Sequence, residues 1–229
     1  MSNKFRVSVL PVPEVVFYPN TVLPIYIMES AYIKMVQDAV TNNELIGISL
    51  AQPIKNQRIG ERTKFTPSDI CSIGSPVIVA PLNEGTLKIL IKGVKRVKLL
   101  SIHQNLPFLI FEAEDFIDEQ KATIMSGGEV ERLRTILELW LIENINDTIE
   151  RESFNENLKT LSHIVDYICM FLIQDVMMRQ SLLENNCLGD RVRILNLLLK
   201  DCNPFEEDLL IVDAFKDFEK LEKYAKAEH

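Results

Sequence analysis

The stretch GTLKILIKGVKRVKLL, residues 85 to 100, carries the most regular charge pattern in the chain. In an extended strand successive side chains alternate between faces, so Lys88, Lys92, Arg96 and Lys98 fall on one side. Leu87, Ile89, Ile91, Val97 and Leu99 fall on the other. Four cations in a row suit a phosphate backbone, because each one that neutralises a phosphate releases counterions. Leu90 and Val94 interrupt the chain of charges, however, and no aromatic residue is interleaved for base stacking. An ordinary solvated strand face competes with the nucleic-acid reading here, and nucleic acid is the weaker of the two.

Other reactive residue types are scattered. Glu112, Glu114 and Asp115 could in principle exchange protons, but they lie at the end of a strand-like run and read as solvated surface. His163 and Cys169 stand six residues apart on one helical pattern, on different faces, so they make a poor metal pair. Cys71, Cys169, Cys187 and Cys202 show no CxxC spacing and read as free thiols. No GxxxxGK[ST] loop, GxSxG elbow or HExxH pair occurs, so the sequence predicts no catalytic residue, no metal and no cofactor. A hydrolase whose site is too dispersed to read is a further alternative.

Composition frames these residues. Hydrophobic residues make up 47% and charged residues 25% of the 229, which places the chain among folded globular proteins. No apolar run is long enough for a membrane span and no secretory leader opens the chain; the expected location is cytoplasmic. The net charge of -8 is unevenly spread, with 12 basic and 10 acidic residues up to Ile117 and 13 and 23 beyond it. This asymmetry, with the acidic, glycine-containing stretch FEAEDFIDEQKATIMSGGEV, predicts two domains, 1–118 and 119–229.

The first region alternates with period two. KFRVSVL, LIGISLAQ, SPVIVAPL, GTLKILIKGVKRVKLL and LPFLIFEAED read as strands, and Asn83 and Gly85 suit a hairpin between two of them. A helix starting near Ser30 buries Tyr32, Val36 and Ala39/Val40. The second region has helical period. Val130, Leu133, Ile136, Leu137, Trp140 and Leu141 form one stripe, and Leu158 to Ile173 form a wider one. Asp190 is expected to cap a third helix, and a last helix to run from Phe205 to Tyr224. The fold class is therefore α+β, with a mostly antiparallel, curled or barrel-like sheet in front and a helical bundle behind.

One stretch remains: LPVPEVVFYPNTVLPIYI, residues 10 to 27, apolar and proline-rich with nothing catalytic in it. It resembles the start of the N-terminal substrate-binding domain of the ATP-dependent Lon proteases, with Leu10, Pro11, Pro19, Leu23 and Pro24 at the matching positions. CSIGSPVIVAPLNEGTLKILIKGVKRVKLL is similar to the second signature of that family, in Gly74, Gly85 and the G-x-x-R of Gly93 to Arg96. HIVDYICMFL and QSLLENNCLGDRVRILNLLL resemble its helical part. The resemblance implies a PUA-like pseudo-barrel with one helix, followed by a helical bundle. It also implies binding of unfolded or tagged polypeptide, with the ATPase motor and serine-lysine protease of full-length Lon outside this sequence. The chain then reads either as a stand-alone binding protein, acting with a protease in trans, or as a piece of a longer one, and self-association stays open. Prolines keep VVFYPNTVLP out of a central ladder, so Phe17, Tyr18 and Val22 are the expected polypeptide contacts on a partly exposed surface. A PUA-like fold also hosts RNA-binding modules, and Lys88, Lys92, Arg96 and Lys98 would serve that alternative.

Overall fold

The computed structural model describes residues 4–53, 65–82, 85–119, 127–147, 151–152, 154 and 158–200. The chain divides into two compact units, Met1–Pro19 with Ile25–Ile117 and Asn20–Pro24 with Asp118–His229.

Among the described residues a seven-stranded sheet comprises β1 (Phe5–Val12), β2 (Val22–Ile27), β3 (Ile46–Pro53), β4 (Phe65–Pro67), β5 (Ile70–Leu82), β6 (Thr86–Gln104) and β7 (Leu109–Asp115). The order is β1-β7-β6-β5-β3-β4, with β2 paired to β6. β1 also pairs with β3 in parallel, opposite Ser8 to Val12, so the pairing β1-β7-β6-β5-β3 returns to its own first strand. Alternation explains the packing: Val7 and Val9 of β1 turn inward with Cys71, Ile73, Val97, Leu99, Phe111 and Ala113 to form a shared apolar core. β5 and β6 form one long hairpin, whose turn residue Gly85 stands at φ 78, a left-handed conformation that favours glycine. Asn83 lies outside the described residues.

Helix α1 (Ser30–Asn42) starts at Ser30 itself: Glu29 is the cap residue and makes no side-chain capping bond. Met35, Val36 and Ala39 are its buried residues, while Tyr32 is half-buried. Burial foremost, and Glu29 second, push the Tyr32 hydroxyl pKa up. The helix ends at Asn43, at φ 54, whose amide donates to the carbonyls of Ala39 and Val40.

The described part of the second unit holds α2 (Gly127–Asn144), α3 (Leu161–Phe171), α4 (Val176–Glu184) and α5 (Leu188–Leu198). α2 buries Leu133, Leu137, Trp140 and Leu141, the centre of the stripe seen in the sequence. The wide face of Leu158 to Ile173 is not one helix, because Thr160 caps α3 by accepting from the His163 amide and the helix stops at Phe171. Asp175 then starts α4, which the sequence pattern had not suggested, by accepting from the Met178 amide at 2.6 Å. Asp190 sits inside the first turn of α5 rather than at its cap, which is Cys187. Trp140, Phe154, Tyr167 and Phe171 pack as one aromatic cluster, with Trp140 and Phe171 stacked at 5.1 Å and Phe154 edge-on to Tyr167 at 4.7 Å. The helix expected at 205–224, and Cys202, lie outside the described residues. Among the described residues no helix is long and apolar enough to cross a membrane.

Candidate functional site

The proline-rich stretch is held down by backbone. After β1 the chain turns at Glu14, at φ 60, and lays Val16, Phe17, Tyr18 and Pro19 in buried positions. Ser72 of β5 donates its hydroxyl to the Phe17 carbonyl at 2.6 Å. At Gly93 of β6 a Cβ would come within 2.2 Å of the Tyr18 carbonyl oxygen and 2.9 Å of the Pro19 Cα. At Gly74 of β5 a Cβ would meet the Lys92 carbonyl oxygen at 2.5 Å. Gly93 thus lets β6 touch the main chain of residues 18–19, Gly74 lets β5 lie close against its ladder neighbour β6, and neither position has room for any side chain.

This geometry corrects the reading of Phe17, Tyr18 and Val22. All three are 0% exposed, so in this conformation they offer no surface to a polypeptide. Proline does keep this stretch out of the central ladder, but Phe17 and Tyr18 are carried on a segment that Gly93 lets lie close and the Ser72 hydroxyl bonds. Leu10 and Leu23 are buried too, and Pro11 and Pro24 are half-buried, which makes the signature prolines and leucines structural.

The basic stripe is also broken. Ile73 and Gly74 are neighbours on β5 but pair with Lys95 and Gly93 on β6, so Val94 is an extra residue in a bulge. One extra residue interrupts the alternation between Lys92 and Arg96. Arg96 is only 7% exposed, with its guanidinium 5.1 Å from the centre of the Phe116 ring. Lys88 lies 5.9 Å from the Tyr26 ring centre and Lys98 is exposed. Lys95, which the stripe omitted, pairs with Asp115 at 2.6 Å and sits 4.9 Å over the Phe5 ring.

An open groove of about 560 Å³ lies elsewhere on the first unit. Phe5 and Arg6 of β1, Leu45 before β3, Lys95 and His103 of β6 and Ile110 of β7 line it. Phe5, Leu45 and Ile110 are half-buried and supply the apolar wall. Arg6 makes no ion pair among the described residues, whereas Lys4 at the margin pairs with Glu112 at 3.3 Å. Ser8 and Glu44 join His103 among its lining residues, and the described residues contain no cluster of three or more His, Cys, Asp or Glu able to hold a metal. Such a lining can hold apolar and main-chain groups. Tyr26, Met28, Ile102 and Leu106 are further exposed apolar side chains of this unit.

The second unit holds a buried charged cluster that sequence reasoning missed. Arg191, 1% exposed, places Nη2 2.5 Å from Oδ2 of Asp118 and Nη1 3.5 Å from Oδ1 of Asp166. Asn20 donates through Nδ2 to Oδ2 of Asp166 at 3.1 Å. Asp166 is itself 2% exposed. A signal was present: an aspartate in the middle of the apolar run HIVDYICMFL needs a buried partner.

Cys71, Cys169 and Cys187 are buried and take part in no disulfide. Burial pushes the Cys71 thiol up to about 12, which keeps it protonated and unreactive.

Comparison with known proteins follows the same lines. The family described as "ATP-dependent protease La (LON) substrate-binding domain" matches residues 6–201, and the chain belongs to that family. It is similar to the Lon protease of Buchnera aphidicola subsp. Acyrthosiphon pisum, 25% identical over 217 residues that cover 93% of this chain and 26% of that protein. The chain therefore spans about a quarter of such a relative's length. Among solved structures, the N-terminal domain of Mycobacterium avium complex Lon protease matches with a TM-score of 0.62 and 18% identity, covering 87% of this chain and all of that one. A Lon N-terminal domain protein from Xanthomonas campestris matches with a TM-score of 0.60 and 16% identity, covering 87% of this chain and 99% of that one. At these identities the structural matches establish the fold.

Proposed function

We propose that this chain is a non-catalytic polypeptide-recognition protein of the cytoplasm, which engages unfolded or tagged proteins and passes them to a protease, in trans or further along the same chain. The observation that carries the reading is the match of residues 6–201 to a substrate-binding domain. The groove beside Phe5, Leu45 and Ile110 supports it as an open, partly apolar surface. In this reading residues 1–118 form a PUA-like pseudo-barrel that makes the contact, and residues 119–229 form a helical bundle. The closed circuit of strand pairing and the aromatic cluster favour that division.

The RNA-binding alternative loses support from the bulge at Val94 and from the burial of Arg96, which leave no continuous row of cations. Titration of the fluorescently labelled chain with reduced, carboxymethylated lactalbumin, a permanently unfolded protein, tests the proposal. Saturable binding with a Kd on the order of tens of micromolar is expected for a small, partly polar groove. No binding at that concentration would overturn it.

A further inference from the structure

Among the described residues β1 is paired on only one side over its first half. β7 pairs with Phe5 to Val9, but β3 begins at Ile46, opposite Ser8. The chain enters β3 from α1 through Asn43, at φ 54, and does not extend the ladder back along Phe5, Arg6 and Val7. Among the described residues nothing pairs with those three on the β3 side. The groove lies at the same place. Phe5 and Val7, whose side chains join the core, and Arg6 and Ser8, which alternate with them, all line it, as expected where a strand edge is open.

We propose that this half-edge is a strand-addition site, where an extended segment of another polypeptide continues the line of β3 and bonds its main chain to β1 at Phe5–Val7. The inference rests on the polypeptide-binding reading above and specifies its mode. Alternate residues of Phe5–Val7 turn their amide and carbonyl away from β7, and such groups are complementary to another extended main chain. Apolar side chains of the guest fit against Phe5, Leu45 and Ile110. An acidic residue of the guest fits Arg6, which makes no ion pair among the described residues, while Lys95 is already paired with Asp115 and Glu44 is the groove's own carboxylate. A guest of this kind is recognised by conformation and by a loose apolar and acidic pattern, which suits unfolded chains of many sequences.

The test uses the whole chain and two probes: carboxymethylated lactalbumin, and a short apolar peptide with one glutamate, the peptide prepared also with alternate amides N-methylated. N-methylation leaves every side chain in place and removes the ladder bonds. It should weaken binding about tenfold or more. Hydrogen exchange should slow in the complex at those amides of Phe5–Val7 that point away from β7. Arg6→Glu, at an exposed side chain, should weaken the glutamate peptide and leave an alanine version unchanged. Equal binding of the N-methylated peptide, or protection confined to other elements, would refute strand addition while leaving polypeptide binding intact. Failure of lactalbumin itself to bind would refute both. Slowed exchange at Phe5–Val7 that grows with protein concentration in the absence of peptide would assign the edge to a second copy of this chain, and would equally refute the proposal.

Discussion

The two units are tied together internally by opposite means. In the β-rich unit the decisive contacts are between backbones, at Gly74 and Gly93, where the absence of a side chain is what matters. In the helical unit they are between side chains, in the Trp140–Phe171 cluster and around Arg191. The first arrangement tolerates no added atom. The second tolerates no lost charge. The difference predicts which substitutions damage which unit, and how much.

The largest effect should follow Arg191→Met. Removing one member of a buried ion pair strands the others, and about 3–5 kcal/mol of stability is lost in such cases. Hydrogen exchange should accelerate in α3 and α5 first, with β1, β6 and β7 following only if the chain unfolds as a whole. Next comes Gly93→Ala, which forces a methyl group onto the Tyr18 carbonyl oxygen at 2.2 Å. Overpacking against backbone predicts a loss of about 2–3 kcal/mol in urea denaturation, with exchange accelerated at β5, β6 and residues 16–19. If both variants accelerate the same amides equally, the contrast between the units is wrong.

Asp175→Ala should cost about 1 kcal/mol, the worth of a helix cap, since only the bond to the Met178 amide is lost. A loss several times larger would mean that Asp175 holds more than α4.

The smallest effect is conditional on pH. Cys71 is raised from 9.0 to about 12 by burial, so above pH 9 the unfolded chain releases a proton that the folded chain keeps. Stability associated with this thiol is complete below pH 9 and declines as pH rises from 9 towards 12. Cys71→Ser should flatten that alkaline limb. An unchanged limb would show that other groups cause it.

How much of this was legible beforehand depends on the kind of interaction. Gly74, Gly85, Gly93 and the prolines of residues 10–24 were readable as a signature, since a backbone requirement leaves a fixed residue type in the sequence. What those glycines touch was not readable, because it depends on residues 18 and 93 meeting across the fold. The same gap misplaced Phe17, Tyr18 and Val22: proline does exclude a segment from a ladder, but the sequence does not say whether the segment then faces solvent or is packed against another layer. The regular stripe of Lys88, Lys92, Arg96 and Lys98 assumed an unbroken strand, and the extra residue Val94 breaks it. Conversely, Asp166 within HIVDYICMFL was a visible anomaly, and its partner Arg191 lay in a quoted segment. The pairing needed only the question of where a buried carboxylate finds its cation. The open half-edge of β1 left no trace in residue types at all, since it follows from where β3 begins.

The central claim is that this chain recognises polypeptide by its unfolded state, through main chain and apolar side chains rather than through one sequence. Equilibrium binding of a single model protein, measured for its native and its reduced, carboxymethylated forms under identical conditions, tests it most directly. Saturable binding of the unfolded form with no detectable binding of the native form is the predicted result. Equal affinity for both forms, or none for either, would contradict it.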